Sequence, residues 1–362
     1  MGKRKFAVIS GFLGAGKTTG MIALVNALAE QGTKAAIICN DLGASNLVDA
    51  LYTAEAGCCS GAIAGGCICY QTETLVDRIK RFTDVEGAQL VMSDIPGCGV
   101  GALDHVYLKL AREYPEAFEL APFTVVCDPL RLRAIMPERA RLHLPEEMNY
   151  LFRTQLLEAD VIVLNKIDTI SEAEKERCVA FLNHAYPGVP VFPISAKSFI
   201  GVRELAVYLM THTARLIAVD TGYGGPEFLA AESKLSWYDR RVFVKKAECF
   251  DGNAFFSAFM EAVREKLQSR ERNVPHLKVF AAGAGSDFAK ASLIGVDCGT
   301  AFDRMLEGQY EKYSVVVNAR AACESQLLDT IMDAALEETA GRFGTSLHVF
   351  STECFGMTDE GR

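Results

Sequence analysis

A glycine-rich loop near the start of the chain constrains the fold more than any other feature. Residues 11–18 read Gly-Phe-Leu-Gly-Ala-Gly-Lys-Thr and directly follow the apolar run Phe6–Ile9. Between a buried strand and a helix, such a loop directs backbone N–H groups and the positive helix N-terminus at phosphate oxygens. The sequence therefore predicts a nucleotide-binding α/β domain. The loop candidates are Gly11, Gly14, Ala15, Gly16, Lys17, Thr18 and Thr19.

Two side chains of this loop match phosphate chemistry. Lys17 is placed to reach the β- and γ-phosphates, and the Thr18 hydroxyl is a candidate ligand of Mg²⁺, which prefers oxygen donors. The alternative is a glycine-rich turn without a ligand. The strand pattern before the loop and the helix pattern after it favour the phosphate site.

The composition excludes several classes of function. The 362 residues carry a formal net charge of −9, which provides no global basic field for nucleic acid or an anionic membrane surface. No stretch approaches the apolar length that crosses a bilayer. Twelve cysteines without an export signal favour reduced thiols, metal ligation or core packing over disulfides. We expect a cytoplasmic protein.

Periodicity predicts two domains. In residues 1–219, apolar runs alternate with helical patterns, which is typical of a parallel sheet with helices on both faces. Residues 220–238 begin with the turn-rich stretch Asp-Thr-Gly-Tyr-Gly-Gly-Pro and are predicted to be a linker. In residues 239–362 the order β-α-β-β-β-α-β predicts a smaller α+β domain, ferredoxin-like with an added strand and both helices on one face.

The tetrapeptide Asn165-Lys166-Ile167-Asp168 follows the apolar run Val161–Leu164 and indicates guanine recognition. The Asp168 carboxylate can accept two parallel hydrogen bonds from guanine N1–H and N2–H₂, which adenine cannot supply. The alternative is a helix-capping loop. Ser195, Ala196 and Lys197 fit a weaker base-contacting loop after another apolar run.

Carboxylates at two further strand ends are candidates for the Mg²⁺ and γ-phosphate region. Asp94-Ile95-Pro96-Gly97 has the Asp-x-x-Gly form, in which Asp94 holds Mg²⁺ through water and the Gly97 N–H senses the γ-phosphate. Asp41, after the second strand, is a weaker candidate, since a strand-ending turn explains it equally well.

A cysteine cluster follows the glycine pair at 65–66. Cys67 and Cys69, one residue apart, project from the same side of an extended segment and can converge on Zn²⁺ or Co²⁺. Cys58, Cys59 and Cys98 are candidates for the remaining ligands. The alternative is that these thiols only pack or stay solvated, since the spacing lacks the paired pattern of zinc ribbons.

The order of these motifs, from Gly11–Thr19 through Gly66-Cys67-Ile68-Cys69 to Leu164–Asp168, resembles the CobW-type GTPases, relatives of the urease and hydrogenase nickel-accessory GTPases. The resemblance implies a slow GTPase that uses GTP/GDP and Mg²⁺. It also implies a transition metal on the cysteine segment and a client that is a metalloprotein or a corrinoid-dependent protein. A nucleotide-dependent homodimer is a further expectation.

The sequence departs from this family at two places. Tyr70 stands where the family has its third clustered cysteine, and Ala44 stands where the family has a second carboxylate after Asp41. Two other functions therefore stay open. One is a GTP-dependent interaction switch or assembly chaperone without its own metal site, and the other is a small-molecule kinase, against which Asp168 argues.

Overall fold

The chain folds into two compact units. The computed structural model describes residues 3–43, 48–96, 99–137 and 144–356. The strands of the first unit are β1 (Arg4–Gly11), β2 (Ala35–Asn40), β3 (Cys59–Ile63), β4 (Leu90–Asp94), β5 (Phe118–Leu120), β6 (Thr124–Cys127), β7 (Val161–Leu164) and β8 (Val191–Pro193). The strands of the second unit are β9 (Ser236–Phe250), β10 (Asn273–Ala282), β11 (Phe288–Leu293), β12 (Ala301–Arg304), β13 (Tyr310–Ala322) and β14 (Ser346–Gly356).

Helices alternate with these strands along the chain. They are α1 (Lys17–Ala29), α2 (Val48–Glu55), α3 (Thr72–Lys80), α4 (Lys109–Glu113), α5 (Pro129–Leu132), α6 (Glu147–Leu157), α7 (Glu172–Ala185), α8 (Val202–Thr211), α9 (Pro226–Glu232), α10 (Gly252–Gln268) and α11 (Ser325–Phe343). Single π-helical turns cover Arg81–Val85 and Leu103–Leu108, and a 3₁₀ turn covers Ile167–Thr169. Within the described ranges, no helix has both the length and the apolar composition needed to span a membrane.

The first unit contains the predicted parallel sheet. Its strand order is β3-β2-β4-β1-β6-β7-β8, β5 also pairs with β1, and every pairing is parallel. From β1 to β2 the chain moves towards one edge of the sheet, and from β4 to β6 it moves towards the other edge. Because crossovers between parallel strands are right-handed, these two directions place helices on opposite faces of the sheet. Strands β4, β6 and β7 are buried along their whole length, which explains why they appear in the sequence as apolar runs.

One helix start follows from a local sequence signal. Helix α7 begins after Ser171, whose hydroxyl accepts a hydrogen bond from the Glu174 N–H at 3.3 Å, the N-cap arrangement that a Ser-x-x-Glu sequence favours. Strand β3 was not predicted, since its sequence Cys-Ser-Gly-Ala-Ile offers only one large apolar side chain.

The second unit is the predicted α+β domain. Its six strands form an antiparallel sheet in the order β12-β11-β10-β13-β9-β14. Helices α10 and α11 bury Phe255, Phe259, Ile331 and other side chains in one core with the sheet. The short strand β12 was not predicted, because its four residues are half-buried or exposed and carry little apolar pattern.

One helix of the second unit comes from the sequence between β2 and β3. Helix α2 belongs to the second unit and packs Val48 with Phe280 and Val316. The Val48 N–H donates to Asn318 Oδ1 at 2.7 Å, and Lys278 pairs with Asp49 at 2.5 Å. The predicted division into sequence-contiguous domains, 1–219 and 239–362, does not include this placement of α2 in the second unit.

Candidate functional site

At two positions the predicted phosphate-binding loop leaves no room for a side chain. Gly11 has φ +129° and Gly16 has φ +93°. A Cβ on Gly11 would lie 2.0 Å from the Val126 carbonyl oxygen, and one on Gly16 would lie 2.6 Å from Asn165 Nδ2. The loop therefore passes so close to β6 and to the segment after β7 that side chains are excluded there.

Helix α1 begins at Lys17, directly after this loop. Lys17 Nζ lies over the loop and donates to the carbonyl oxygens of Gly11 at 2.9 Å and Phe12 at 3.3 Å. Thr18 is buried, whereas Thr19 is half-buried. The loop thus lies between β1 and α1, as the sequence predicted. The Lys17 ammonium group and the N-terminus of α1 both lie at this loop.

The predicted base-recognition segments lie against this loop. Asn165 Nδ2 donates to the Ala15 carbonyl at 2.9 Å, and Asn165 Oδ1 accepts from the Ala196 N–H at 3.0 Å. Lys166 Nζ donates to the Gly14 carbonyl at 2.5 Å. One asparagine side chain therefore connects three loops that are far apart in sequence.

The remaining predicted members of these two segments differ in their exposure to solvent. Asp168 is exposed in the 3₁₀ turn after β7, and Lys197 is exposed after β8. Ser195 is buried, and its hydroxyl accepts from the Ser198 N–H at 3.1 Å. Asp168 is therefore accessible from solvent.

Asp128 is a residue of this site that the sequence analysis missed. It directly follows β6, is fully buried, accepts from Arg131 Nη1 at 2.9 Å, and lies 3.4 Å from Lys166 Nζ. Burial alone would raise its pKa, but the charges of Arg131 and Lys166 outweigh burial and lower it. Asp128 is therefore an anion that orients Lys166. Its position at the carboxyl end of a predicted parallel strand was the signal available.

Asp94 ends β4 beside the phosphate loop. It is buried, it lies opposite Ile9 of β1, and its Oδ1 accepts from the Asn40 N–H at 2.7 Å. Asp41 accepts from the Gly43 N–H at 3.3 Å at the end of β2. Thr18 and these strand-end residues carry a hydroxyl and carboxylates, and Mg²⁺ prefers oxygen donors of this kind. Gly97 and Cys98 lie outside the described residues.

Cys67 and Cys69 converge at the carboxyl edge of the same sheet. Their Sγ atoms are 2.8 Å apart, and the Cys69 N–H donates to Cys67 Sγ at 3.3 Å. Asn40 holds this segment, because its side chain donates to the Gly66 carbonyl at 2.8 Å and accepts from the Ile68 N–H at 2.9 Å. Asn40 therefore contacts both the cysteine segment and, through its backbone, Asp94.

Cys58 and Cys59 are not brought to this cluster. Cys59 pairs with Ala36 at the start of β3, whereas the strand ends at Ile63, about 13 Å further along. Burial, together with a contact of 2.8 Å to Glu86 Oε2, raises the pKa of Cys59 to about 11, and burial also raises that of Cys58. The expectation that they complete the metal site is corrected, because they lie at the wrong end of a strand.

Comparison with known proteins identifies the family. A family model described as CobW/HypB/UreG, nucleotide-binding domain, matches residues 5–193. The chain belongs to this family. The zinc chaperones YjiA and YeiR of Escherichia coli (strain K12) are 29% identical over 173 residues and 30% identical over 170 residues. Each alignment covers 46% of this chain, and covers 51% of YjiA and 48% of YeiR, so the chain spans about half the length of these relatives.

Two solved structures of CobW/HypB/UreG type are among the similar chains. Zn(II)-bound YjiA GTPase from E. coli has a TM-score of 0.38 and 13% identity, covering 92% of this chain and 99% of that one. HypB from Helicobacter pylori in complex with nickel has a TM-score of 0.40 and 16% identity, covering 59% of this chain and 92% of that one.

This CobW/HypB/UreG chain has an aromatic cluster beside its cysteine segment. Tyr70 is exposed, and its hydroxyl lies 2.5 Å from the hydroxyl of Tyr223, whose ring packs on His105. In the part of the chain that the structure describes, no group of three or more His, Cys, Asp or Glu side chains is arranged to hold a metal ion. Among the described residues, Cys67 and Cys69 therefore do not belong to such a group.

Proposed function

We propose that this chain binds and hydrolyses GTP and that its nucleotide state controls a divalent transition metal ion carried as cargo on Cys67 and Cys69. The observation that carries the nucleotide part is the Asn165 side chain, which joins the phosphate loop to the Ser195–Lys197 loop. The family match supports it, since the matched region is a nucleotide-binding domain.

Each candidate residue has a definite task in this proposal. Backbone N–H groups of residues 14–16 and the Lys17 ammonium bind the phosphates, and the Asp168 carboxylate selects guanine. Thr18 and Asp94 would hold Mg²⁺, which when bound neutralises phosphate charge. Asp41 and Gly97 remain proposed members of the γ-phosphate region, and the attacking nucleophile is water.

The metal part of the proposal depends on Asn40. Its backbone N–H contacts Asp94, and its side chain holds the backbone on both sides of Cys67. A change at Asp94 on GTP hydrolysis therefore has a direct route to the thiol pair. Zn²⁺ and Co²⁺ both accept thiolate ligands, and the zinc chaperones among the relatives favour Zn²⁺. The client is proposed to be a metalloprotein or a corrinoid-dependent protein.

Base selection is tested with Asp168→Asn. Guanine donates from N1 and N2, so an amide is a poorer partner than a carboxylate, whereas xanthine presents an acceptor oxygen at C2 that an amide N–H can meet. We expect GTP binding to fall and the preference for xanthosine triphosphate over GTP to rise. The control is Glu176→Gln on the exposed side of α7, which should leave both unchanged. Equal binding of ATP and GTP by the unaltered chain would contradict the proposal.

Metal handling is tested by equilibrium dialysis of untagged protein against Zn²⁺ and Co²⁺, with GDP or a non-hydrolysable GTP analogue. We expect metal binding that differs between the nucleotides, is lost in Cys67→Ser and is retained in Cys249→Ser, an exposed thiol of β9. Asn40→Ala should keep some metal binding but lose its nucleotide dependence.

The second candidate is a GTP-dependent interaction switch or assembly chaperone without a metal. The incomplete ligand set among the described residues, with Tyr70 at the third cysteine position, favours it. Absence of bound metal with either nucleotide, combined with normal GTP binding, would establish this candidate over the first.

A further inference from the structure

The segment that carries Cys67 and Cys69 is a β-turn rather than the extended segment that the sequence predicts. The Tyr70 N–H donates to the Cys67 carbonyl at 3.0 Å, so the chain reverses direction over residues 67–70. In an extended segment, Cα atoms two residues apart are separated by about 6.6 Å, close to the upper limit of about 6.8 Å for a disulfide. The turn shortens this separation, and the two Sγ atoms are 2.8 Å apart. A disulfide can therefore close here with little movement of the backbone.

Three hydrogen bonds hold this turn in place. The Cys69 N–H donates to Cys67 Sγ at 3.3 Å. The buried Asn40 side chain donates to the Gly66 carbonyl at 2.8 Å and accepts from the Ile68 N–H at 2.9 Å. When one of two thiols that the fold holds in contact is oxidised, the other attacks it faster than a thiol from solution does, because the approach costs no further translational entropy.

The two thiols of the turn differ in accessibility. Cys69 is buried, with 7% of its surface exposed, whereas Cys67 is half-buried. A small disulfide from solution therefore meets Cys67 first. The next residue, Tyr70, carries a phenol, which cannot form a disulfide. The turn thus contains one pair of thiols and no third sulfur that could displace either member of the pair.

The neighbouring thiols Cys58 and Cys59 are less reactive. Burial raises the pKa of both, and a contact with Glu86 helps to raise that of Cys59 to about 11. Both are therefore protonated near neutral pH, and the thiolate is the form that attacks a disulfide. Cys249, exposed on β9, serves as a reference for a reactive thiol outside the turn.

We propose that Cys67 and Cys69 form a reversible disulfide by exchange with a low-molecular-weight disulfide such as glutathione disulfide, with Cys67 as the attacking thiol and Cys69 as the resolving thiol. The Cys67 thiolate attacks one sulfur of the external disulfide, forms a mixed disulfide and releases one thiolate. The Cys69 thiolate then attacks Cys67 Sγ, closes the ring and releases the second thiolate. Two electrons pass from the pair to the external disulfide, and the released thiolates take up the two protons that the cysteines lose.

The disulfide and a bound metal ion exclude each other. An oxidised pair has no thiolate to offer as a ligand, so oxidation would prevent loading of the turn and release an ion already held there. This consequence rests on the proposed function, whereas the disulfide itself requires neither nucleotide nor metal.

The test incubates the reduced, metal-free full chain with excess glutathione disulfide. Free thiols are then blocked with iodoacetamide, disulfides are reduced, and the released thiols are labelled with N-ethylmaleimide before tryptic digestion and mass spectrometry. We expect the maleimide label on both Cys67 and Cys69, with no glutathione retained at either in the unreduced digest. Treatment with dithiothreitol before the blocking step should remove the label from both.

Single substitutions test the order of attack. Cys69→Ser should retain glutathione on Cys67, because the resolving thiol is missing. Cys67→Ser should leave Cys69 unmodified, because Cys69 is buried. The matched control is Cys249→Ser, which should leave the Cys67–Cys69 disulfide unchanged. The label on the unaltered chain decides the proposal even where a variant does not fold.

Four results would overturn the proposal. These are the absence of label at both cysteines, glutathione retained on Cys67 of the unaltered chain, glutathione on Cys69 in Cys67→Ser, and a cross-link between the tryptic peptides 35–78 and 82–109. The last would make Cys98 the partner. Disulfide formation in a chain that binds no Zn²⁺ in dialysis would contradict the metal part of the proposed function and leave the disulfide standing, so the two failures are distinguishable.

Discussion

The backbone N–H of Val48 donates to the side-chain oxygen of Asn318, 270 residues later in the chain, at 2.7 Å. Asn318 is buried, and its Nδ2 also donates to Asp239 Oδ1 at 2.6 Å. This hydrogen bond fixes the first residue of α2 on the second sheet, although α2 lies in sequence between two strands of the first sheet.

Asn318→Ala should therefore destabilise the second unit. Loss of the amide leaves the Val48 N–H and a buried carboxylate oxygen without this partner, which costs about 1–3 kcal/mol in the free energy of unfolding. Urea denaturation measures it, and hydrogen exchange should show faster exchange at Val48. Thr330→Ala is the control, because that hydroxyl only bonds within α11 on an exposed turn. Unchanged exchange at Val48 would contradict the assigned role.

Gly16→Ala should abolish nucleotide binding. The new Cβ would lie 2.6 Å from Asn165 Nδ2 at a φ of +93°, so either the loop or Asn165 must move. Gly20→Ala, four residues on in α1, meets nothing within 4 Å and should stabilise the helix by about 0.5–1 kcal/mol. Calorimetric titration with GTP and thermal melting of both variants distinguish the two effects. Normal GTP affinity in Gly16→Ala would contradict the assigned loop.

Asp128→Ala should reduce both stability and GTP affinity. The Arg131 guanidinium, whose side chain is 2% exposed, would lose its buried counter-charge, which costs about 3–5 kcal/mol. Lys166 would lose the carboxylate that orients it toward Gly14. Glu172→Ala removes an exposed ion pair with Lys175 and should change neither property measurably. A GTP dissociation constant unaltered in folded Asp128→Ala would remove Asp128 from the site.

Glu158 should make stability depend on pH. The carboxylate accepts from the N–H groups of Gly101 at 2.9 Å and Leu103 at 3.0 Å, and burial raises its pKa to about 7 from 4.5. The folded state thus binds more protons than the unfolded state between these values. Its contribution is full below about pH 4.5 and is lost as the pH rises through about 7, on the order of 3 kcal/mol.

Glu158→Gln should remove this component, because an amide does not titrate. The difference in unfolding free energy between the unaltered chain and the variant, measured by urea denaturation from pH 5 to about pH 8, should therefore vary with pH. A difference that does not vary with pH would show that the Glu158 carboxyl titrates alike in the folded and unfolded states.

The features of this protein that follow from its sequence are those with local determinants. The phosphate loop lies between β1 and α1 because glycines permit its turn and apolar runs bury the strand, and both signals lie within a few residues of each other. The same holds for Asn165, which directly follows β7. Parallel topology follows from alternation, so the convergence of Asn165 with Ala15 at the carboxyl edge was predictable.

Contacts that depend on where a residue lies along a strand do not follow from the sequence. Cys58 and Cys59 are close to Cys67 in the chain, but they lie at the start of β3, whereas Cys67 follows the end of that strand. The weak apolar pattern of β3 did not predict a strand there. No sequence signal indicates that Asn40 links Asp94 to the cysteine segment, because that link consists of contacts between segments that are distant in the chain.

The amino-acid order alone determined the two sheets and the set of loops that gather at the carboxyl edge of the first, because turn chemistry and hydrophobic period act over short distances. Only the tertiary structure decided that α2 packs on the second sheet, that Asp128 orients Lys166, and that Lys245 faces Lys312. Those relationships depend on register and packing between segments far apart in the chain, which local patterns do not encode.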